Sequence, residues 1–251
     1  MNQFSSKAIL IIILFLAVFQ KNGFCQKSSQ SENDCMPLPS STYSGENLIY
    51  PTYSVFTFLL KTTVEPKDFR IDTILYPLEK FQEPIVLQLK ILPGCYADQT
   101  MVKYEYLMGD SIFNNETTGL IEDKKGIWIH PPRGLIAEAT FSPYFEYRFG
   151  QKKWRSGFII SNDNPKISDK KLLWARNKIT VGRDTIFRFK NEDIICKMLE
   201  IKTKHRGKTY HSTMLFHEKL GFVWMDIHFI NGKQMSLELL RVNTDFSKKT
   251  E

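Results

Sequence analysis

His211, Asp226 and His228 are the residues of this chain best placed to do chemistry together. If Glu218 to Gly221 form a four-residue loop between antiparallel strands, Leu215 falls opposite Trp224, Thr213 opposite Asp226 and His211 opposite His228. Two imidazoles and a carboxylate then share one sheet face. Imidazole nitrogen is a good zinc ligand and a neighbouring carboxylate fixes its tautomer, so the group suits metal-assisted hydrolysis. The arrangement hangs on loop length, because a one-residue slip turns His211 to the other face, and no third neutral nitrogen or thiolate is expected nearby. A polar, solvated sheet face accounts for the same residues without a metal and is the preferred reading.

Other titratable groups are less grouped. His205-Arg206 and His217-Glu218 fall at strand ends, where such side chains are commonly just exposed. The stretch Ile127-Trp128-Ile129-His130-Pro131-Pro132-Arg133 is more distinctive, because an apolar strand stops at a double proline between an imidazole and a guanidinium. His130 and Arg133 could present themselves to an anion, although paired prolines also simply end a strand and stiffen its loop. Asn115-Glu116-Thr117 fits an N-glycosylation acceptor, relevant only in a eukaryotic secretory route. No G-x-S-x-G elbow, P-loop, H-E-x-x-H or dinucleotide fingerprint occurs, so serine-triad, nucleotide and metalloprotease readings lack a starting point. Nothing calls for a cofactor.

The elements that must position these groups are strands. Ile85, Leu87, Leu89 and Ile91 share one face against Gln88 and Lys90, and Val102, Tyr104, Tyr106 and Met108 oppose Lys103 and Glu105. Phe145, Tyr147 and Phe149 alternate with Glu146 and Arg148, and Phe187 and Phe189 with Arg188 and Lys190. Period-two alternation of this kind marks strands with one dry and one wet face. Asn231-Gly232 between two apolar runs is a strong hairpin signal, and Asp123–Gly126, Gly150–Lys152 and Gly182–Asp184 read as further hairpin tips. All 11 prolines fall at segment edges or in loops. Glu192–Lys202 changes phase between Met198 and Leu199. A bulged strand is preferred there, with a short helix as the alternative. The fold expected is mainly β: one large antiparallel curved sheet, a half-barrel or barrel-like form, with little helix.

The chain is 251 residues. Lys7 precedes an apolar run from Ala8 to Phe19, well short of the ~20 residues a membrane-crossing helix needs, and Gly23 and Cys25 are small residues at the −3 and −1 positions of a cleavage site. Residues 1–25 are therefore expected to be a cleaved export signal, with Gln26 first in the mature chain and no transmembrane span left in it. Lipidation at Cys25 is the alternative. Residues 26–45, poor in large apolar side chains, read as a flexible leader, residues 46–245 as a single β domain and residues 246–251 as a tail. Export places Cys35, Cys95 and Cys196 in an oxidising compartment, where at most one bridge can form among them. No C-x-x-C pair is present. The formal net charge is +7, of which Lys7 and Lys21 supply two. Lysines and arginines are scattered along the chain, so nucleic-acid binding finds little support.

Two stretches carry a resemblance. Thr118–Glu122 through Trp128–Arg133, and Phe216–Val223 followed by Ile230-Asn231-Gly232, resemble uncharacterised secreted proteins of Bacteroidota. The strand pattern is similar to that of periplasmic lipoprotein-carrier half-barrels, whose curved sheet holds acyl chains on its concave face. This chain has no obvious helix to plug that face. The resemblance implies a periplasmic or extracellular, envelope-associated protein without established catalytic residues. The leading functional expectation is a non-enzymatic exported protein that binds a lipid or other apolar ligand on an aromatic-lined face built from Phe145, Tyr147, Phe149, Trp154, Phe158 and Trp224, with His130 and Arg133 beside it. Two rivals stand next to it: a structural or interaction module of an envelope complex whose partner is a protein, and a metal-dependent hydrolase using His211, Asp226 and His228.

Overall fold

The computed structural model describes residues 48–63, 84–96, 99–132, 143–160, 173–230 and 232–244. The expected signal, leader and tail, with Cys35, Arg133 and Asn231, lie outside them, as does the side chain of Cys95.

Among the described residues twelve strands form one antiparallel sheet: β1 (Ser54–Thr62), β2 (Ile85–Tyr96), β3 (Gln99–Met108), β4 (Ser111–Asp123), β5 (Gly126–Ile129), β6 (Phe145–Arg148), β7 (Lys153–Ile160), β8 (Leu173–Phe189), β9 (Glu192–His205), β10 (Lys208–His217), β11 (Gly221–His228) and β12 (Gln234–Thr244). Their spatial order is β6-β5-β4-β3-β2-β1-β12-β11-β10-β9-β8-β7. Strands β1 to β6 and β7 to β12 are thus two meanders of successive hairpins, joined in the middle by pairing of β1 with β12. The sheet nearly closes into a barrel.

Alternation dictates which side chains fill it. Ile85, Leu87, Leu89 and Ile91 of β2 and Val102, Tyr104, Tyr106 and Met108 of β3 are buried together with Phe56, Phe58 and Leu60 of β1 and Met235, Leu237 and Leu239 of β12. They belong to one continuous apolar cluster that also takes in Met214, Phe216, Met225 and Ile227 from the other meander.

Closure needs bends, and bulges supply them. Register shifts occur at Thr57/Phe58 in β1, Tyr106/Leu107 in β3, Val181/Asp184 in β8 and Leu215/Phe216 in β10. The third corrects one expectation: Gly182–Asp184 is no hairpin tip but part of the bulge in the middle of 17-residue β8. The turn lies further on, at Lys190-Asn191, where Lys190 has φ +48°. Glu192–Lys202 is strand, and its buried face does change between Cys196 and Leu199, opposite that same irregularity.

Gly150–Lys152 also does something other than expected. It connects β6 to β7, which do not pair but form the two edges of the sheet. So short a connection keeps the adjoining ends of the edges within about 18 Å of each other, since the chain spans at most ~3.5 Å per residue. Pro93 is a further departure, lying inside β2 beside the irregularity between Leu92 and Tyr96. The Asp123–Gly126 turn is as expected: Asp123 Oδ1 accepts from the backbone N–H of Lys125 (2.7 Å) and of Gly126 (3.0 Å). The β11–β12 hairpin forms too, with Gly232 at φ +87° donating its N–H to Phe229 O.

Candidate functional site

Thr213 pairs with Asp226 and Leu215 with Trp224, the register expected from sequence. Past Leu215 the ladder shifts, so that Phe216 faces Phe222 and Val223 is the extra residue. Asp226 Oδ2 lies 3.4 Å from His228 Nε2, while its Oδ1 accepts from Gln234 Nε2 at 2.6 Å. The carboxylate is thus held on both oxygens. His211 stands exposed, paired with Lys202, which is paired in turn with Lys178. Among the described residues no three His, Cys, Asp or Glu side chains gather as a metal site. The Lys202 ammonium beside His211 would also repel a cation.

The aromatic residues separate into an inner and an outer set. Phe145 and Tyr147 of β6 pair with Ile129 and Ile127 and point inward. Tyr147 stacks on Phe216 at 4.0 Å between ring centroids and meets Trp154 of β7 edge-on at 6.3 Å, while Phe145 lies 6.0 Å from Phe222. These rings close the seam between β6 and β7, where no ladder runs. Phe149 remains 38% exposed at the rim, edge-on to Tyr147. Phe158 packs in a small separate cluster with Ala175. Trp224 alternates with Met225 and so sits on the outer face, beside Asp226 and apart from Phe145 and Tyr147. His130 is also held outside, edge-on to Trp128 and Tyr144, with its carbonyl accepting from Tyr104 OH at 2.7 Å.

On β8 and β9, Lys197 Nζ and Asp184 Oδ1 form an ion pair of 2.7 Å. Burial holds the Tyr147 phenol above its ordinary pKa, partly offset by the Lys197 charge. The free Cys196 thiol is buried and pushed up to about 11 by desolvation, which makes it a poor nucleophile at neutral pH.

The most tightly built polar group was not singled out from sequence. Glu122 lies on the inner face of β4, paired with Ile127. Its Oε1 accepts from the backbone N–H of Leu48 and Ile49, both at 2.9 Å, and its Oε2 from that of Tyr50 at 3.0 Å. This anchors the segment before β1 and drives Tyr50 into the barrel, where its hydroxyl accepts from Phe222 N–H at 2.9 Å. Its sequence signal was a carboxylate two residues after Leu120, on a face that alternation makes dry. The role is structural, since both oxygens are occupied.

Tyr50, Phe58, Leu87, Tyr104, Phe145 and Phe222 line a cavity of about 10 Å³. That is roughly what one water requires.

No protein-family profile matches the sequence, and no curated protein matches it. Solved structures that match include an inferred lipoprotein from Parabacteroides distasonis, with 8% identity and a TM-score of 0.39 over 77% of this chain and 96% of that one. An inferred exported protein with a YmcC-like fold from Bacteroides fragilis matches at 9% identity and a TM-score of 0.35, covering 76% and 96% of the two chains. The hypothetical lipoprotein YmcC from Escherichia coli matches at 9% identity and a TM-score of 0.37, covering 96% and 98%.

Proposed function

We propose that this chain is an exported, non-catalytic barrel that serves as a structural or interaction module at the cell envelope, meeting its partners through its outer wall. The observation that carries this reading is the packing of the described residues inside the barrel, where Tyr50, Tyr104, Phe145 and Phe222 border a space of only about 10 Å³. Pockets for lipids and other small ligands occupy ~300–1,000 Å³, and of the aromatic side chains expected to line such a pocket Phe145, Tyr147 and Trp154 pack the core and the seam instead. Tyr50, held by Glu122 and Phe222, adds its buried ring to that packing. Export is supported by Lys7, the apolar run Ala8–Phe19 and the small residues Gly23 and Cys25.

The wall offers recognition features of its own. Ile186 of β8 and Ile195 of β9 are directly paired and each is 68% exposed. On either side lie cross-strand ion pairs, Asp184 with Lys197 and Arg188 with Asp193 at 2.8 Å. An apolar step between charged ones fits a protein surface better than bulk solvent.

Native mass spectrometry of protein purified from its own envelope, together with uptake of a fluorescent fatty acid, tests the reading. The expected result is the bare polypeptide mass and no uptake. A co-purifying acyl-bearing molecule, released by denaturation, would overturn it in favour of ligand carriage.

A further inference from the structure

Cations scattered in the sequence are gathered by strand pairing onto one outer face. Arg155 of β7 pairs with Lys178 of β8, Lys178 with Lys202 of β9, and Lys202 with His211 of β10. In the adjoining row Gly157 pairs with Arg176 and Arg176 with Lys204. All five lysines and arginines are exposed, and none makes an ion pair among the described residues. The residues between them, Ala175, Asn177, Ile179, Ile201 and Thr203, are buried on the inner side, which fixes the outward direction of the cations. Cations scattered along the chain thus form a grid with spacings of about 4.8 Å across strands and ~6.8 Å along them.

Like charges directly opposite one another destabilise a sheet. Some cations elsewhere on this barrel are matched: Lys90 and Lys103 flank buried Glu105 at 2.6 and 3.4 Å, and Arg148 Nε lies 2.7 Å from Glu146. In the grid the cations face one another across strands instead, Arg155 with Lys178 and Lys178 with Lys202, a surface suited to counter-charge from outside the chain. At its margin Trp174, on the same face as Arg176 and Lys178, is 53% exposed and lies against Gly157, which has no side chain to displace it.

We propose that this face of β7–β10 docks onto an anionic membrane surface, with Arg155, Arg176, Lys178, Lys202 and Lys204 against phosphate headgroups and Trp174 seated at the interface. Indole partitions to the headgroup level of bilayers, and each Lys or Arg near an anionic surface strengthens binding about five-fold. A nucleic-acid strand fits less well, because non-specific sites for it combine a groove with several stacking aromatics, and among the described residues Trp174 is the one exposed large hydrophobic ring on this broad wall. The inference rests on the exposed face alone and holds whether or not the barrel also has a protein partner.

Co-sedimentation of the full mature chain with vesicles of phosphatidylglycerol and phosphatidylcholine, against vesicles of phosphatidylcholine alone, is the test. Binding is expected only to the anionic vesicles and falls away at about 0.5 M salt, where the screening length is only a few ångströms. The double variant Lys178→Gln/Lys202→Gln is expected to bind about 25-fold more weakly, and Trp174→Ala to lose binding as well. The melting temperature of the double variant is expected to be no lower than that of the parent. Lys124→Gln/Lys125→Gln, at the β4–β5 tip, removes the same charge away from this face and is expected to bind nearly as the parent does. Equal binding to both vesicle types, or equal loss in the two double variants, would overturn the proposal. Tighter binding of duplex DNA than of anionic vesicles at the same salt, unaffected by Trp174→Ala, would overturn it in favour of a polyanion site.

Discussion

Tyr50 is the residue on which the end of the barrel depends, and its chemistry gives two measurable consequences. Its hydroxyl satisfies the buried N–H of Phe222, and its ring lies against Gly221, which has φ +70°. Tyr50→Phe leaves that N–H without an acceptor and is expected to lower unfolding free energy by about 1–3 kcal/mol, measured by urea denaturation. Gly221→Ala combines an unfavourable φ with overlap of the Tyr50 ring, and its expected cost is at least as large. Burial holds the Tyr50 phenol far above its ordinary 10.0. Below that pH the group is neutral folded and unfolded alike. Above it the unfolded chain ionises while the buried phenol stays neutral, so stability falls as pH rises past about 10, and Tyr50→Phe should fall less steeply. His217 works on the acid side. Its Nδ1 accepts from Lys219 N–H at 3.3 Å and Leu220 N–H at 3.2 Å, and desolvation holds its pKa below 6.5. Its contribution is present above 6.5 and lost as pH falls through the lowered value. His217→Asn is expected to flatten the decline in denaturation midpoint between neutral and mildly acid pH, and an unchanged slope would show that the imidazole does not cap the turn.

The seam between β6 and β7 poses the corresponding question at the level of elements, because a barrel edge is ordinarily closed by a ladder and this one is closed by rings. Tyr147, Trp154, Phe216 and Phe145 take over that task. Trp154→Ala is expected to cost about 3–5 kcal/mol, and hydrogen exchange should accelerate first in β6 and β7 while β2, β3 and β12 stay protected. Uniform acceleration would mean that the seam is no weaker than the rest. Most strands were legible in sequence, since Ile85 to Ile91 and Val102 to Met108 keep a strict period of two and their buried faces follow it. The seam was not legible, because Gly150 looks the same whether the strands it joins pair or bound a gap. Gly182 was misread for a related reason: a glycine between β-formers marks a turn or a bulge equally well, and here it leaves room for Met198, whose Cε would lie 3.2 Å from an added methyl.

On the scale of the whole molecule, two six-strand meanders share one core, and what could not be read from the sequence is what arises between elements distant along it. The metal-like group rested on a register that held at Thr213 and Asp226, yet its carboxylate turned out to be occupied by Gln234, a partner across the β11–β12 hairpin. The basic face escaped notice because Arg155, Lys178 and Lys202 become neighbours only through β7–β8 and β8–β9 pairing. The same architecture predicts where the chain can be cut. Strands β1 and β12 are paired from Ser54 with Thr244 to Thr62 with Met235, so the two halves are hydrogen-bonded through the middle of the sheet, while the 149–152 connection crosses a seam without a ladder. Cleaving an inserted protease site between Gly150 and Gln151, both exposed, releases only the entropy of a short closed loop. The two fragments are expected to stay together in gel filtration with a retained β-sheet spectrum and a melting temperature lowered by several degrees. Removing residues 234–251 instead strips Met235, Leu237 and Leu239 from the core and severs the ladder that joins the meanders, and that chain is expected not to fold. Dissociation of the fragments after cleavage at Gly150 would mean that the covalent link, not the β1–β12 ladder and the rings at the seam, keeps the barrel closed.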